Sequence, residues 1–325
     1  MNPRLATLVT RLREKSHYQK ADYVQLADLI GEEQLTRRLE AQLRLYTNQA
    51  KSGRPWMRKL YRKSIVTGLW MIGHYAKAKQ LARKPEWVEQ EWFFDHLPAA
   101  FDGYRILQLS DFHFDFIPEL PEIVKTLIAP HRFDCCALTG DFRGETTGPY
   151  EESLQQLRKT RPYLGEQVYA VLGNHDNVEL LLDFPEMNIQ ALMNEAVILE
   201  RGGEKIRLAG VDDPHFYQAH ECDFLKEDDA PFTVLFAHSP ESWREAEEVG
   251  VALQLSGHTH GGQLCLPGGI PVLAHLEDCP REMIKGRWQV GGLQGYTSRG
   301  IGASTLDLRL NCPPEITVHI LRCKN

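Results

Sequence analysis

The chain has 325 residues, 42% of them hydrophobic and 25% charged, and a formal net charge of −7. These are ordinary values for a globular protein with one large domain and a smaller accessory segment, and the net charge excludes a nucleic-acid binder that works by bulk charge. The charge is unevenly placed: residues 1–90 carry 18 Lys and Arg against 8 Asp and Glu, whereas residues 91–325 carry 19 against 36, a division that suggests two jobs.

The start, MNPRLATLVTRLREK, lacks a long apolar core and a small-residue cleavage site, so no signal peptide is expected. Seven cysteines without a CxxC pair read as free thiols in a reducing compartment. From about Tyr23 to Tyr46 the pattern is helical, with Leu35, Leu39 and Leu43 at i, i+4 and i+8. Between Ala41 and Lys84 no residue is acidic and eleven are Lys or Arg. The apolar run Ser64–Ala76 inside that stretch is too short to span a bilayer, which needs ~20 residues. Met57, Tyr61, Ile65, Leu69 and Ile72 share one helical face, Arg54, Arg58 and Arg62 another, and Trp56 and Trp70 lie nearby. That pattern fits a basic amphipathic helix in a membrane interface. It fits equally a helix docked on the rest of the chain with its basic face in water. The expected division is a basic helical extension over residues 1–95 and a catalytic domain over 96–325.

Strand-like apolar runs follow at Tyr104–Leu109, Cys135–Thr139, Val168–Leu172, Ile206–Val211, Thr233–Ala237 and Leu253–Leu255. Several are continuous rather than alternating, as buried strands are. Helical patterns lie between the early runs, at Pro121–Ala129 and Glu151–Arg161. After Gly257 come glycine-rich turns and short strands ending in Ile316–Leu321. The expected class is α/β, with a later half that is mostly β.

Polar residues cluster directly after these runs. Asp111 and His113 follow the first, Asp141 the second, Asn174, His175 and Asp176 the third, His238 a later one, and His258 and His260 another. Ligands bind at the carboxyl ends of strands in open α/β sheets. Asp111, His113, Asp141, Asn174, His238, His258 and His260 therefore form a candidate metal set. Carboxylate, imidazole and amide oxygen suit Mn²⁺, Zn²⁺, Fe²⁺ or Mg²⁺. The set is too large for one catalytic ion with an open position and suffices for two if one carboxylate bridges. Two ions ~3.5–4 Å apart clamp an in-line displacement at phosphorus. Gly140, Gly173 and Gly257 precede these residues, as close backbone approach in a crowded site requires.

The ordered set D-x-H, G-D, G-N-H-D, a single His, then G-H-T-H resembles the calcineurin-like metallophosphoesterase superfamily over roughly Tyr104–Leu321. The resemblance implies a four-layer sandwich of two mixed β-sheets flanked by helices. It implies that Asp111, His113, Asp141 and His260 hold one ion and Asn174, His238 and His258 the other, with Asp141 bridging. His175 would sit over the substrate, stabilising charge or protonating the leaving oxygen, and Asp176 would orient His175. GDFRGE and GNHD differ from the G-D-x-V-D-R-G and G-N-H-E of serine/threonine protein phosphatases. Gly144 stands where purple acid phosphatases carry an iron-binding tyrosine. The missing tyrosine and the ligand types make Mn²⁺ the expected metal. The tail, GHTHGGQLCLPGG, GLQGYTSRGIGAS and LRLNCPPEITVHIL, resembles the YkuE-like branch. That branch includes membrane-associated phosphoesterases and lipid A pathway enzymes that cleave the pyrophosphate of UDP-2,3-diacylglucosamine.

Arg143, two residues after Asp141, reads either as a bidentate phosphate contact or as a solvated loop residue. Asp212, Asp213 and His215 either line the substrate mouth or form a turn, and Arg299 either positions the last metal loop or touches substrate. Histidines outside the motifs, such as His275 and His319, read as structural or exposed. The leading expectation is a dinuclear hydrolase of a membrane-borne phosphoester or pyrophosphate, cytoplasmic and peripheral on the inner face of the membrane. A small-molecule phosphodiesterase is the alternative, a non-catalytic binding platform a minor one, and no nucleic acid or obligate protein partner is expected.

Overall fold

The computed structural model describes residues 2–13, 20–51, 55–226, 231–272, 274 and 276–324. Five helices come first: α1 (Pro3–Arg13), α2 (Lys20–Ile30), α3 (Glu32–Lys51), α4 (Pro55–Met71) and α5 (Tyr75–Leu81). The strands are β1 (Glu86–Phe94), β2 (Arg105–Leu109), β3 (Cys135–Thr139), β4 (Val168–Val171), β5 (Gln190–Ala191), β6 (Glu195–Arg201), β7 (Glu204–Gly210), β8 (Thr233–Phe236), β9 (Leu253–Ser256), β10 (Cys265–Leu266), β11 (Ile270–Pro271), β12 (Gly286–Val290), β13 (Leu293–Thr297) and β14 (Glu315–Cys323). Between them lie α6 (Leu120–Ile128), α7 (Glu151–Thr160) and α8 (Trp243–Glu248).

The strands build two six-stranded mixed sheets, ordered β1-β14-β2-β3-β4-β5 and β12-β13-β9-β8-β7-β6. Strands β2, β3 and β4 run parallel in the first sheet, as do β7, β8 and β9 in the second. Their continuous apolar runs reflect burial on both faces: every residue of β3, β4, β8 and β9 is buried. Inner faces meet through Trp92, Ile106 and Val171 on one side and Leu208, Phe236 and Leu255 on the other. The outer face of the first sheet is covered by Leu120, Val124 and Leu157 of α6 and α7, and the second by Ala246 of α8 with Met283. This is the expected four-layer arrangement.

The N-terminal helices belong to the same body. Leu35, Leu39 and Leu43 of α3 are buried in the cluster that also holds Leu180 and Leu181. Burying each such side chain contributes about 1.5–3 kcal/mol. The helical pattern expected over Tyr23–Tyr46 is split at Gly31, whose φ of 82° ends α2 before α3 begins.

Helical structure was expected through residue 95, but it stops at Leu81, and Glu86–Phe94 is a strand. It pairs with β14 in parallel along its whole length. As an edge strand it sends Trp92 and Phe94 into the core and leaves Glu89, Glu91 and Phe93 exposed; three glutamates in such an edge mask its period-2 pattern. Helix α4 is docked through Ile65, Val66 and Leu69 against Ala78 and Leu308. Tyr61 and Ile72, expected on the same face, are exposed. Arg54 lies outside the described residues, as do the side chains of Met57 and Arg58.

Candidate metal centre

The loops that follow β2, β3, β4, β8 and β9 converge on one rim and bring all the expected ligands together. His113 Nε2 lies 3.0 Å from His260 Nε2, and His260 Nε2 lies 3.4 Å from Asp111 Oδ1. Asn174 Oδ1 lies 3.0 Å from His238 Nε2 and 2.9 Å from His258 Nδ1. Asp141 stands between the groups, its Oδ2 3.5 Å from His113 Nε2 and 3.4 Å from His238 Nε2. Among the described residues three groups could each hold an ion: Asp111 with His113 and His260, Asp141 with His238 and His258, and, between them, His113 with Asp141 and His175.

The backbone is bent to make this possible. Asp111, His113, Asp141, His258 and His260 all have φ between 41° and 73°. Left-handed backbone at non-glycine residues costs on the order of 1–3 kcal/mol each and collects at functional sites. The preceding glycines give room: a Cβ at Gly257 would collide with Ser110 Oγ and Asp111 Oδ2, and one at Gly173 with Asp141 Oδ1.

The donor set itself calls for cations. His113 Nδ1 donates to the Arg143 carbonyl and His238 Nδ1 to the Thr139 carbonyl, each at 2.8 Å. Carbonyl oxygens only accept, so the Nε2 lone pairs of both neutral rings point inward. For His238 this sets three acceptors together, its Nε2, Asn174 Oδ1 and an Asp141 oxygen, an arrangement that positive charge must hold. Without a metal a proton fills that need. Burial opposes it, but Asp141, Asp111 and Asp213 outweigh burial and push His238 up to about 10. Burial lowers His113 to about 4, and burial together with the Asp141 charge pushes Asp111 up to about 6. Paired divalent ions satisfy the same residues.

Residues 104–262 match the calcineurin-like phosphoesterase family. An uncharacterized metallophosphoesterase of Bacillus subtilis, YkoQ, is 30% identical over 69% of this chain and 86% of its own length. Another from the same organism, YkuE, is 28% identical over 83% of this chain and all of its own length. The Escherichia coli phosphodiesterase YaeI is 30% identical over 71% of this chain and 89% of its own. The chain belongs to the calcineurin-like phosphoesterase family. It is a metal-dependent phosphoester hydrolase.

In this calcineurin-like phosphoesterase the groups around the ligands do different work. His175 is partly exposed; its Nδ1 donates to the Gly144 carbonyl at 2.5 Å, and its ring lies 4.9 Å from that of His113. The contact uses Nδ1 and leaves Nε2 with no hydrogen bond among the described residues. Asp176 does not orient that ring. Its carboxylate accepts from the amides of Asp141, Phe142 and Gly173 at 2.7–2.9 Å, so it shapes the turns that carry Asp141 and Asn174. Arg143, read as a phosphate contact or a solvated loop residue, is not solvated, and its Nε and Nη1 make no hydrogen bond among the described residues. It is buried, and its Nη2 donates to the carbonyls of Thr147 and Gly148, folding its own loop. Arg299 is paired with Glu315 and Glu86.

Asp212 and Asp213 are fully buried, and Asp213 accepts from the amides of His215, Phe216 and Tyr217. They form a turn. It presents His215 to the site, with its ring 4.2 Å from that of His258 and Nδ1 on Glu241. Two residues escaped the sequence reading. Arg309 is fully buried and donates to carbonyls of His260 and Gly302. Arg38 reaches the turns from α3. Only Arg38 carries a signal in hindsight, since it falls on the Leu35–Leu39 stripe of its helix; Arg309 sits in the alternating stretch Leu306–Asn311 like an ordinary surface charge.

Proposed function

We propose that this phosphoesterase hydrolyses a phosphoester or pyrophosphate borne on an anionic membrane at the inner face of the cytoplasmic membrane, with UDP-2,3-diacylglucosamine as the specific form and Mn²⁺ as the working metal. The observation that carries the reading is the free surface of α4. Trp56, Leu60, Tyr61, Trp70, Met71 and Ile72 are all exposed, Trp70 at 73% and Met71 at 75%. Lys59 and Lys63 are exposed beside them, and each basic residue near an anionic surface is worth ~1 kcal/mol. Among the described residues no helix is long and apolar enough to cross a membrane, so this contact would be interfacial.

The same helix adjoins the metal rim. Arg62 pairs with Glu145 at 3.1 Å and lies over the Phe116 ring, which neighbours His113. A headgroup held under α4 would stand close to His175. Two divalent ions at the ligand groups would supply Lewis acidity and hydroxide for in-line attack at phosphorus. Asp111, His113 and His260 would hold one ion, Asn174, His238 and His258 the other, and Asp141 both. His175, fixed through Nδ1, would bring Nε2 to the phosphoryl or leaving oxygen.

A soluble phosphodiester is the second reading, favoured by the likeness to a protein named as a phosphodiesterase. A binding platform is disfavoured because every expected ligand is present. The test sets bis(p-nitrophenyl) phosphate beside UDP-2,3-diacylglucosamine in detergent micelles, with EDTA and Mn²⁺ add-back. Mn²⁺-dependent release of UMP from the lipid supports the first reading; turnover of the diester alone supports the second. Membrane contact is checked by sedimentation with phosphatidylglycerol vesicles. A Trp56→Ala, Lys59→Glu, Lys63→Glu, Trp70→Ala variant should stay in the supernatant while the native chain pellets. Equal pelleting would remove the interfacial part of the reading.

A further inference from the structure

A helix that merely docks on a domain needs an apolar stripe. The buried face of α3 carries, besides its leucines, the fully buried Arg38 and Gln42. A buried guanidinium is costly unless its partners are well placed. Its partners here all lie on the turns around the metal centre. Arg38 Nη1 donates to Asp212 Oδ1 at 2.6 Å, with both side chains fully buried. Nη2 donates to the Asp176 carbonyl at 3.1 Å, and the Tyr217 hydroxyl donates to that carbonyl at 3.2 Å. The guanidinium carbon sits 4.0 Å from the centre of the Tyr217 ring. Gln34, one turn earlier, donates to the other Asp212 oxygen at 3.0 Å. Gln42, one turn later, donates to Glu179, which also accepts from the Tyr23 hydroxyl of α2.

Both partners lie on turns that lead to expected metal ligands. Asp176 binds the amides around Asp141 and follows Asn174 by two residues. Asp212 begins the turn that lays His215 against His258. Arg38 thus ties the β4 turn to the β7 turn, and both to a helix that lies outside the family's matched residues. Replacing a buried ion pair by apolar residues of similar volume is often neutral or stabilising, so stability alone does not account for the pair. Its fork geometry does: one guanidinium fixes the separation of two turns in directions that an apolar side chain leaves open.

We infer that Arg38 is a positioning residue of the metal centre, and that α3 is part of the catalytic unit. The inference does not depend on the identity of the substrate; it rests on the ligand assignment. The test compares the native chain with Arg38→Lys and with the double variant Arg38→Met/Asp212→Leu, which removes both charges of the pair. Mn²⁺ affinity is read by titration calorimetry, kcat and KM on bis(p-nitrophenyl) phosphate at saturating Mn²⁺, and folding by thermal melting. The double variant is expected to melt near the native temperature, to bind Mn²⁺ at least tenfold more weakly, and to lose at least tenfold in kcat with little change in KM. Arg38→Lys keeps the charge without the fork; it should show the same separation in smaller degree, and it decides the matter if the double variant does not fold. Native Mn²⁺ affinity and kcat in the folded variants would overturn the inference. A native chain that binds no Mn²⁺ would instead overturn the ligand assignment.

Discussion

Arg309 holds the backbone of His260: its Nη1 donates to the His260 carbonyl at 3.2 Å, and its Nη2 donates to the Arg299 carbonyl at 2.6 Å. The same guanidinium donates through Nε and Nη2 to the Gly302 carbonyl, at 2.9 and 2.7 Å. The loop that ends in Arg309 therefore sets the backbone that carries His260, an expected metal ligand. Outer groups that hold a metal ligand in place typically contribute 10–100-fold to metal affinity. Arg309→Met is expected to weaken Mn²⁺ binding by about that factor and to recover part of its activity as Mn²⁺ is raised. Activity measured against Mn²⁺ concentration checks this; an unchanged curve would show that Arg309 serves only the fold.

The ligand groups differ in what they lose. Asp141 faces both groups, whereas His238 and His258 face Asn174. His238→Ala should bind one Mn²⁺ where the native chain binds two, and Asp141→Asn should bind neither tightly. Both should lose turnover while keeping native circular dichroism. Elemental analysis of the dialysed proteins reads the stoichiometry, and two ions in the His238 variant would contradict the assignment.

His175 is fixed through the Gly144 carbonyl and is partly exposed. Removing an acid or charge-stabilising group of this kind costs roughly 10²–10⁴ in rate. His175→Ala should lose kcat in that range and keep its two ions. The loss should be largest for esters with poor leaving groups. A loss that is the same for all leaving groups would leave charge stabilisation and remove protonation.

His319 carries a pH dependence unrelated to the metals. It is fully buried between the sheets, accepts from Trp92 Nε1 at 3.0 Å and lies 2.9 Å from Gln108 Oε1. Burial lowers it to about 3, against ~6.5 for the unfolded chain. Between those values the unfolded chain holds the extra proton. The stability His319 contributes is therefore complete above pH ~6.5 and is lost progressively as pH falls toward 3. Denaturation midpoints between pH 7.5 and 4.5 should fall less steeply for His319→Gln than for the native chain. Parallel slopes would show that other groups govern the acid limb.

The gathering of the seven expected ligand residues on one rim was legible in sequence because each is local to its strand end. A buried run followed by Gly-Asp, Gly-Asn-His-Asp or Gly-His-Thr-His states both the strand and the turn that stops it, and five such runs imply a shared rim. The runs gave an α/β class with a mostly β later half, and the family they resemble implied two packed mixed sheets. What the chain order cannot state is which side chain meets which across long separations. Asp176 and Arg143 look like site groups by their motif positions, yet the closed turns direct one onto backbone amides and the other onto carbonyls of its own loop. Glu86–Phe94 looked like the end of a helical extension because its pairing partner, β14, comes more than 200 residues later. Arg38 and Arg309 have no local motif at all. Their partners lie on turns brought beside them only when the sheets stack and α3 and α5 settle on the domain. A charge on an apolar helix stripe announces burial; the fold alone decides what that buried charge holds in place.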